Sequence, residues 1–171
     1  MNLSDLISAR VWKLGDNVNT DLLHPPSYFS LDREIMKNGL RHGMERLGSR
    51  PMEILDTGGL VIVAGENFGC GSSRETSVRA LASSGVKCVV AVSLARIFSR
   101  SLVNLGIPPL SCRGVQEKVK DGDSLVINVA QGYLEAGQGG RFRIEPMDEH
   151  HKRILECGGL IPYLEQEKNG I

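Results

Sequence analysis

The stretch richest in chemistry is Gly65-Glu66-Asn67-Phe68-Gly69-Cys70-Gly71-Ser72-Ser73-Arg74-Glu75. Its glycines allow positive φ and let a backbone approach a ligand closely. A helix expected over residues 72–84 would begin where this turn ends, leaving open N–H groups and the positive end of a helix dipole. An anion is stabilised at such a place. Arg74 adds a fork that can grip a carboxylate through two parallel bonds, and Ser72 and Ser73 put hydroxyls at the same spot. From the residues alone, this is a site for an anionic ligand with a candidate serine nucleophile or base.

Spacing removes three familiar alternatives. A phosphate-binding loop requires G-x-x-x-x-G-K-[ST], but counting from Gly65 puts Cys70 at the second glycine and Gly71 at the lysine. A dinucleotide fingerprint loses its third glycine to Arg74, and no acidic residue closes the next strand, where Ala91-Val92-Ser93 stands. The nucleophile elbow G-x-S-x-G is absent. A structural reading competes with the chemical one: Ser72-x-x-Glu75 is a capping box, worth about 1 kcal/mol at a helix start. Cys70 has no histidine near it in sequence, so packing is its expected role.

The elements that must hold this turn follow from the apolar pattern. Leu60-Val61-Ile62-Val63-Ala64 reads as a strand buried on both faces, and 86–92 as its parallel neighbour after the helix 72–84. This βαβ unit is the core. Residues 10–14 form a first strand, and Pro25-Pro26 excludes helix from the loop that follows. The spacing over 31–47 is helical, though Gly39 and Gly43 weaken it and suggest two short helices. A helix over 94–104 is stopped by Gly106 and Pro108-Pro109. Short strands at 124–129, 132–135 and 141–145 make the C-terminal part β-rich, and helices at about 148–157 and 160–166 close the chain. No repeat or linker divides it, so residues 1–171 form a single α/β domain.

Composition excludes several classes of function. Lys plus Arg and Asp plus Glu are each 20, so no excess charge points to nucleic acid or an anionic membrane. No apolar run is long enough to span a bilayer, and the first ten residues lack the pattern of a secretion signal, which leaves the cytoplasm as the expected compartment. Cys70, Cys88, Cys112 and Cys157 are scattered, without the clustered spacing of a zinc or iron–sulfur site. No metal is expected on this chain.

As a string, residues 65–75 resemble the signature of the aconitase family's swivelling domain, especially the stand-alone small subunits of isopropylmalate isomerases. The likeness continues in Gly15-Asp16-Asn17-Val18-Asn19-Thr20-Asp21, in Ser93-Leu94-Ala95-Arg96-Ile97-Phe98, in Asn104-Leu105-Gly106-Ile107-Pro108, in Asp121-Gly122-Asp123 and in Gly158-Gly159-Leu160-Ile161. It covers about Val11 to Leu164. It implies a β/β/α swivelling domain that acts as the small subunit of a hydro-lyase. Such enzymes shift the hydroxyl of a 2-hydroxy acid by dehydration and rehydration, most directly 2-isopropylmalate to 3-isopropylmalate in leucine biosynthesis. The resemblance also implies a large-subunit partner carrying a four-iron four-sulfur cluster, with no cofactor held by this chain.

By position in the motif, Ser72 matches the family's base, Ser73 a substrate contact and Arg74 a carboxylate-binding arginine. A serine hydroxyl is a poor base unless its alkoxide is stabilised, here by backbone dipoles of Gly69, Cys70 and Gly71, by the helix terminus and by Arg74. Two departures stand out. Thr76-Ser77 replaces the family's frequent His-Ala. In the substrate-recognising loop the run is Tyr28-Phe29-Ser30-Leu31 after His24-Pro25-Pro26, with no arginine to favour an extra carboxylate. Phe29 and Leu31 suit an apolar group, which favours isopropylmalate; the opposing reading buries Tyr28 and Phe29 in the core and exposes Ser30. Dimethylmalate, citramalate and homoaconitate remain alternatives, as does a non-catalytic anion-binding regulatory module. The 24–30 loop is expected to order on assembly.

Overall fold

A computed structural model describes residues 6–48, 59–71, 74–137 and 140–169. Among these residues seven strands form one mixed sheet: β1 (Ile7–Lys13), β2 (Leu60–Ala64), β3 (Val86–Ala91), β4 (Pro109–Ser111), β5 (Ser124–Asn128), β6 (Tyr133–Ala136) and β7 (Gly140–Arg143). Their order is β4-β3-β2-β1-β5-β6-β7. The β1 to β4 half is parallel, and β5 to β7 continue antiparallel from the other edge of β1. The expected parallel core and β-rich C-terminal part are thus two halves of one sheet.

Side-chain alternation along the strands splits the interior into two apolar layers. Val61, Val63, Cys88 and Val90 face one layer with Ile154 and Leu155 of α6 (Glu149–Glu156). Leu60, Ile62, Val89 and Ala91 face the other, with Trp12, Met36, Leu40, Val78 and Leu81. All five residues of β2 are buried, as a β-branched run covered on both faces must be. The second layer is roofed by α2 (Arg33–Arg46) packed on α3 (Glu75–Ser83), with α4 (Arg96–Asn104) beside α3. Short α1 (Thr20–Leu23), a 3-10 turn (Pro26–Tyr28), α5 (Val115–Lys118) and α7 (Leu160–Asn169) are the other helical elements among the described residues. No helix among the described residues is long and apolar enough to cross a membrane.

Three boundaries differ from the sequence reading for physical reasons. Residues 33–46 form one helix rather than two, capped by Asp32, whose carboxylate accepts from the N–H of Glu34 and Ile35 at 2.8 and 3.1 Å. Its glycines are places of close approach: a Cβ on Gly43 would overlap the Leu23 carbonyl oxygen, and one on Gly39 would lie 2.5 Å from Tyr28 Cβ. Segment 20–28 is thereby seated directly on α2. Second, α3 starts at Glu75 rather than 72, with Arg74 as N-cap and no side-chain cap bond. Glu75 is therefore the first helical residue, and its carboxylate accepts from Arg79 Nε at 2.8 Å; the expected capping box involves Ser72, which lies outside the described residues. Third, Pro109 does not terminate the segment but opens β4, an edge strand where a missing N–H is tolerated.

Candidate active site

The glycine turn leaves the C-terminal end of β2 and is stitched on both sides. On one side, Gly65 N donates to Gly15 O (3.1 Å), Glu66 N to Asp16 Oδ1 (2.8 Å), Asn17 N to Glu66 O (2.8 Å) and Thr20 N to Cys70 O (3.2 Å). On the other, Asn67 N donates to Ser93 Oγ (2.8 Å), Phe68 N to Ser93 O (3.0 Å) and Ala95 N to Phe68 O (2.8 Å). Phe68 is fully buried edge-on to Phe98, with ring centres 5.3 Å apart. Three of the segments that carry the family likeness, 15–21, 65–71 and 93–98, are therefore one hydrogen-bonded structure.

Gly69 and Gly71 show why this turn needs glycine. Both have positive φ, 78° and 94°. A Cβ on Gly69 would overlap the Phe98 ring, and one on Gly71 would come within 2.5 Å of the Asn19 side chain. The Gly69 N–H donates to Val18 O at 3.0 Å. That bond engages the Gly69 amide within the fold, where the sequence reading expected a dipole for a ligand.

Ser72 and Ser73 lie outside the described residues. The residues flanking them do not. Gly71 abuts Asn19, and Arg74 stands at the N-terminus of α3 with its guanidinium 3.9 Å from Asp21 Oδ1 and its Cζ 4.9 Å from the centre of the Phe29 ring. The structure thus joins Arg74 to the 28–31 loop. That loop carries its own internal order. The 3-10 turn is closed by Phe29 N to Pro26 O (3.1 Å), and Ser30 Oγ accepts from Asp32 N at 3.0 Å. Tyr28 and Phe29 are half-buried: Tyr28 tilts against His42 (5.6 Å), and Phe29 stacks on His24 (5.5 Å). Neither joins the core clusters. Leu31 is 86% exposed.

Electrostatically, the uncapped start of α3 and Arg74 supply positive potential, with Asp21 as the nearest counter-charge. Asp21 and His24 are contributors that sequence reasoning did not single out. The available signal for Asp21 was Asn19, whose Oδ1 accepts from Asp21 N at 2.8 Å and so nucleates α1. Cys70 Sγ contacts Asn17 O at 3.4 Å, a packing position.

The cysteines do not fit a metal cluster. Cys88 and Cys112 are sealed in one apolar layer, and burial raises both thiols, Cys112 to about 11 with help from Glu145. Cys157 contacts Gln166 Oε1 at 3.2 Å. Among the described residues no group of three or more His, Cys, Asp or Glu could hold a metal ion.

Comparison with known proteins agrees with this picture. The Aconitase C-terminal domain family matches residues 52–114. The isopropylmalate/citramalate isomerase small subunit of Methanocaldococcus jannaschii is 38% identical over 96% of this chain and 97% of its own length. The 3-isopropylmalate dehydratase small subunit 1 of Methanopyrus kandleri is 39% identical, covering 96% of each. The methanogen homoaconitase small subunit of Methanothermobacter thermautotrophicus is also 39% identical, over 99% of this chain and 97% of its own. The crystal structure of 3-isopropylmalate dehydratase (LeuD) from Methanocaldococcus jannaschii superimposes with a TM-score of 0.84 at 34% identity, covering 96% of both chains. With fold and sequence shared along nearly its whole length, the chain belongs to the aconitase family, among the small subunits of hydro-lyases of the 3-isopropylmalate dehydratase type.

Proposed function

We propose that this chain, joined to a large subunit, isomerises 2-isopropylmalate to 3-isopropylmalate by removing water and adding it back with the hydroxyl on the neighbouring carbon. The observation that carries this reading is the meeting of Arg74 with Phe29 at the mouth of the glycine turn. A cation suited to a carboxylate beside an apolar ring matches the two ends an alkylmalate offers. Relatives named for isopropylmalate, and a solved structure so named, support it.

In this mechanism Arg74 holds a carboxylate of the substrate through its guanidinium fork. The Ser72 oxygen takes the proton from the carbon next to a carboxylate as hydroxide leaves the adjacent carbon, giving an unsaturated diacid, a protonated serine and hydroxide. Returning that proton to the carbon that had carried the hydroxyl, while hydroxide adds at the other, completes the exchange and restores the alkoxide. Cys70 and Gly71 amides and the open start of α3 stabilise the serine alkoxide. Ser73 contacts the substrate, and Tyr28, Phe29 and Ser30 shape the end that receives the alkyl group. A four-iron four-sulfur cluster on the large subunit supplies the Lewis acid for the departing hydroxyl.

The test is anaerobic co-purification with a candidate large subunit, followed by kcat/KM across 2-alkylmalates, citramalate, dimethylmalate and homoaconitate. The expected result is a brown complex whose hydratase activity neither chain shows alone, with isopropylmalate preferred. Ser72→Ala should assemble normally and lose turnover. Retention of most activity removes the serine from its role. A chain that binds dicarboxylates alone and ignores every cluster protein is instead the non-catalytic module. Homoaconitate is disfavoured by the absence of arginine from residues 28–31.

A further inference from the structure

His24 has no part in the chemistry above, yet it occupies a costly position. It is the C-cap of α1, its backbone N–H bonded to Thr20 O at 2.9 Å, and its side chain is fully buried. Neither ring nitrogen makes a hydrogen bond of normal geometry, the Met36 backbone being its one polar neighbour of note. A polar ring so poorly met by partners contributes chiefly through its shape. Gly39 of α2 makes the room: a Cβ there would stand 2.6 Å from His24 Cδ2 and Nε2. The imidazole then lies 5.5 Å from the Phe29 ring at an interplanar angle of 25°, and the same ring receives Arg74 Cζ at 4.9 Å. A buried plate is stacked on a half-buried plate, which carries a cation whose side chain is 47% exposed.

We propose that His24 is a positioning residue that fixes the plane of Phe29 and, through it, the guanidinium of Arg74, so that one buried ring sets both the apolar and the anionic end of the substrate site. The kinetic side of this inference rests on the hydro-lyase reading above; the positional side concerns the chain alone. Stacked rings hold each other in offset register, and a cation over a ring face follows that face. Neither constraint survives if the lowest plate is replaced by a branched aliphatic group.

Two variants separate the ring from mere filling of space: His24→Leu keeps apolar bulk without the plate, and His24→Phe keeps the plate. In the isotope-labelled isolated chain, the Arg74 Nε–H NMR signal should move in His24→Leu and return toward its original position in His24→Phe, with amide signals of β2 and β3 unmoved in both. If His24→Leu does not fold, Phe29→Leu at its half-buried position should displace the same signal. In the assembled enzyme, His24→Leu should raise KM about three- to tenfold with kcat within about twofold, and His24→Phe should restore it. An Arg74 signal indifferent to these substitutions overturns the proposal on the isolated chain. A displaced signal with unchanged KM overturns its link to substrate. Should the unsubstituted complex turn over no hydroxy acid, the hydro-lyase reading falls, and the Arg74 signal still decides whether His24 positions that side chain.

Discussion

Arg74 holds its guanidinium carbon 4.9 Å from the centre of the Phe29 ring, so the end of the glycine turn and the 28–31 loop share one surface. The nearby Asp21 carboxylate, 3.9 Å away and partly exposed, is too weakly coupled to neutralise the arginine. A substrate carboxylate can therefore compete for it. Replacing Arg74 by lysine keeps the charge and removes the fork, which is worth about 1.5–3 kcal/mol for bonds to charged groups. Steady-state kinetics of Arg74→Lys should show kcat/KM lowered about 10- to 100-fold, with an unchanged circular dichroism spectrum.

The seat of segment 20–28 on α2 is a second test. Glycine to alanine inside a helix ordinarily stabilises by about 1 kcal/mol. At Gly43 the new methyl would collide with the Leu23 carbonyl and meet Leu22 O at 2.9 Å. Gly43→Ala should instead destabilise by about 1–3 kcal/mol in urea unfolding. Gly15, with nothing within 4 Å of its Cβ position, is the control, and Gly15→Ala should stay within about 0.5 kcal/mol of the parent.

Burial holds the His24 imidazole below its ordinary 6.5, an effect the Met36 backbone only partly opposes without a hydrogen bond of normal geometry. The unfolded chain then binds the proton more readily than the folded one, so stability rises with pH between the folded and unfolded values. The contribution is complete above about pH 6.5 and is lost as pH falls below it. Urea midpoints should drop from pH ~7.5 to ~5.5 by more in the parent than in His24→Phe. Asp148, lowered chiefly by the backbone N–H of His151, acts in the same direction in a separate range, losing its contribution only as pH falls below 3.8. Equal slopes in parent and variant would show that His24 titrates as freely in the fold as outside it.

Thiol labelling probes the two layers directly. Cys88 and Cys112 are buried, with raised thiol pKa values, whereas Cys70 and Cys157 are partly exposed. Iodoacetamide on the native chain should modify Cys70 and Cys157 within the time that leaves Cys88 and Cys112 intact, as read by peptide mass spectrometry, and denaturant should equalise all four.

What the sequence made legible depended on how locally each feature is encoded. β2 and β3 are runs of β-branched residues, and their period and burial leave little choice of structure. Segment α4 was equally plain, since Phe98 and Leu102 fall on one face and Gly106 ends it. The short elements α1, the 3-10 turn and α5 were missed because three or four residues carry no periodicity; they exist through contacts made elsewhere, such as Thr20 with Cys70. Gly39 and Gly43 misled for the same reason. Their meaning lies in what passes over them, and composition does not show a neighbour. In the site, the glycine-rich turn at the end of β2 could be read from residue types, but the inward bond of Gly69 could not, because its acceptor, Val18, lies fifty-one positions earlier. Tyr28 and Phe29 offered pocket or core, and the structure gave half-burial, with Tyr28 against His42 and Phe29 between His24 and Arg74.

The many bonds that anchor residues 65–71 bear on how tightly a very small molecule can be gripped. Ordering a slack segment at the moment of encounter would cost about 1–2 kcal/mol for each residue frozen. A diacid with a dozen or so heavy atoms has little interaction energy to set against such a loss. Here the conformational search along 65–71 was completed during folding, so that what the ligand must still surrender is chiefly its own tumbling.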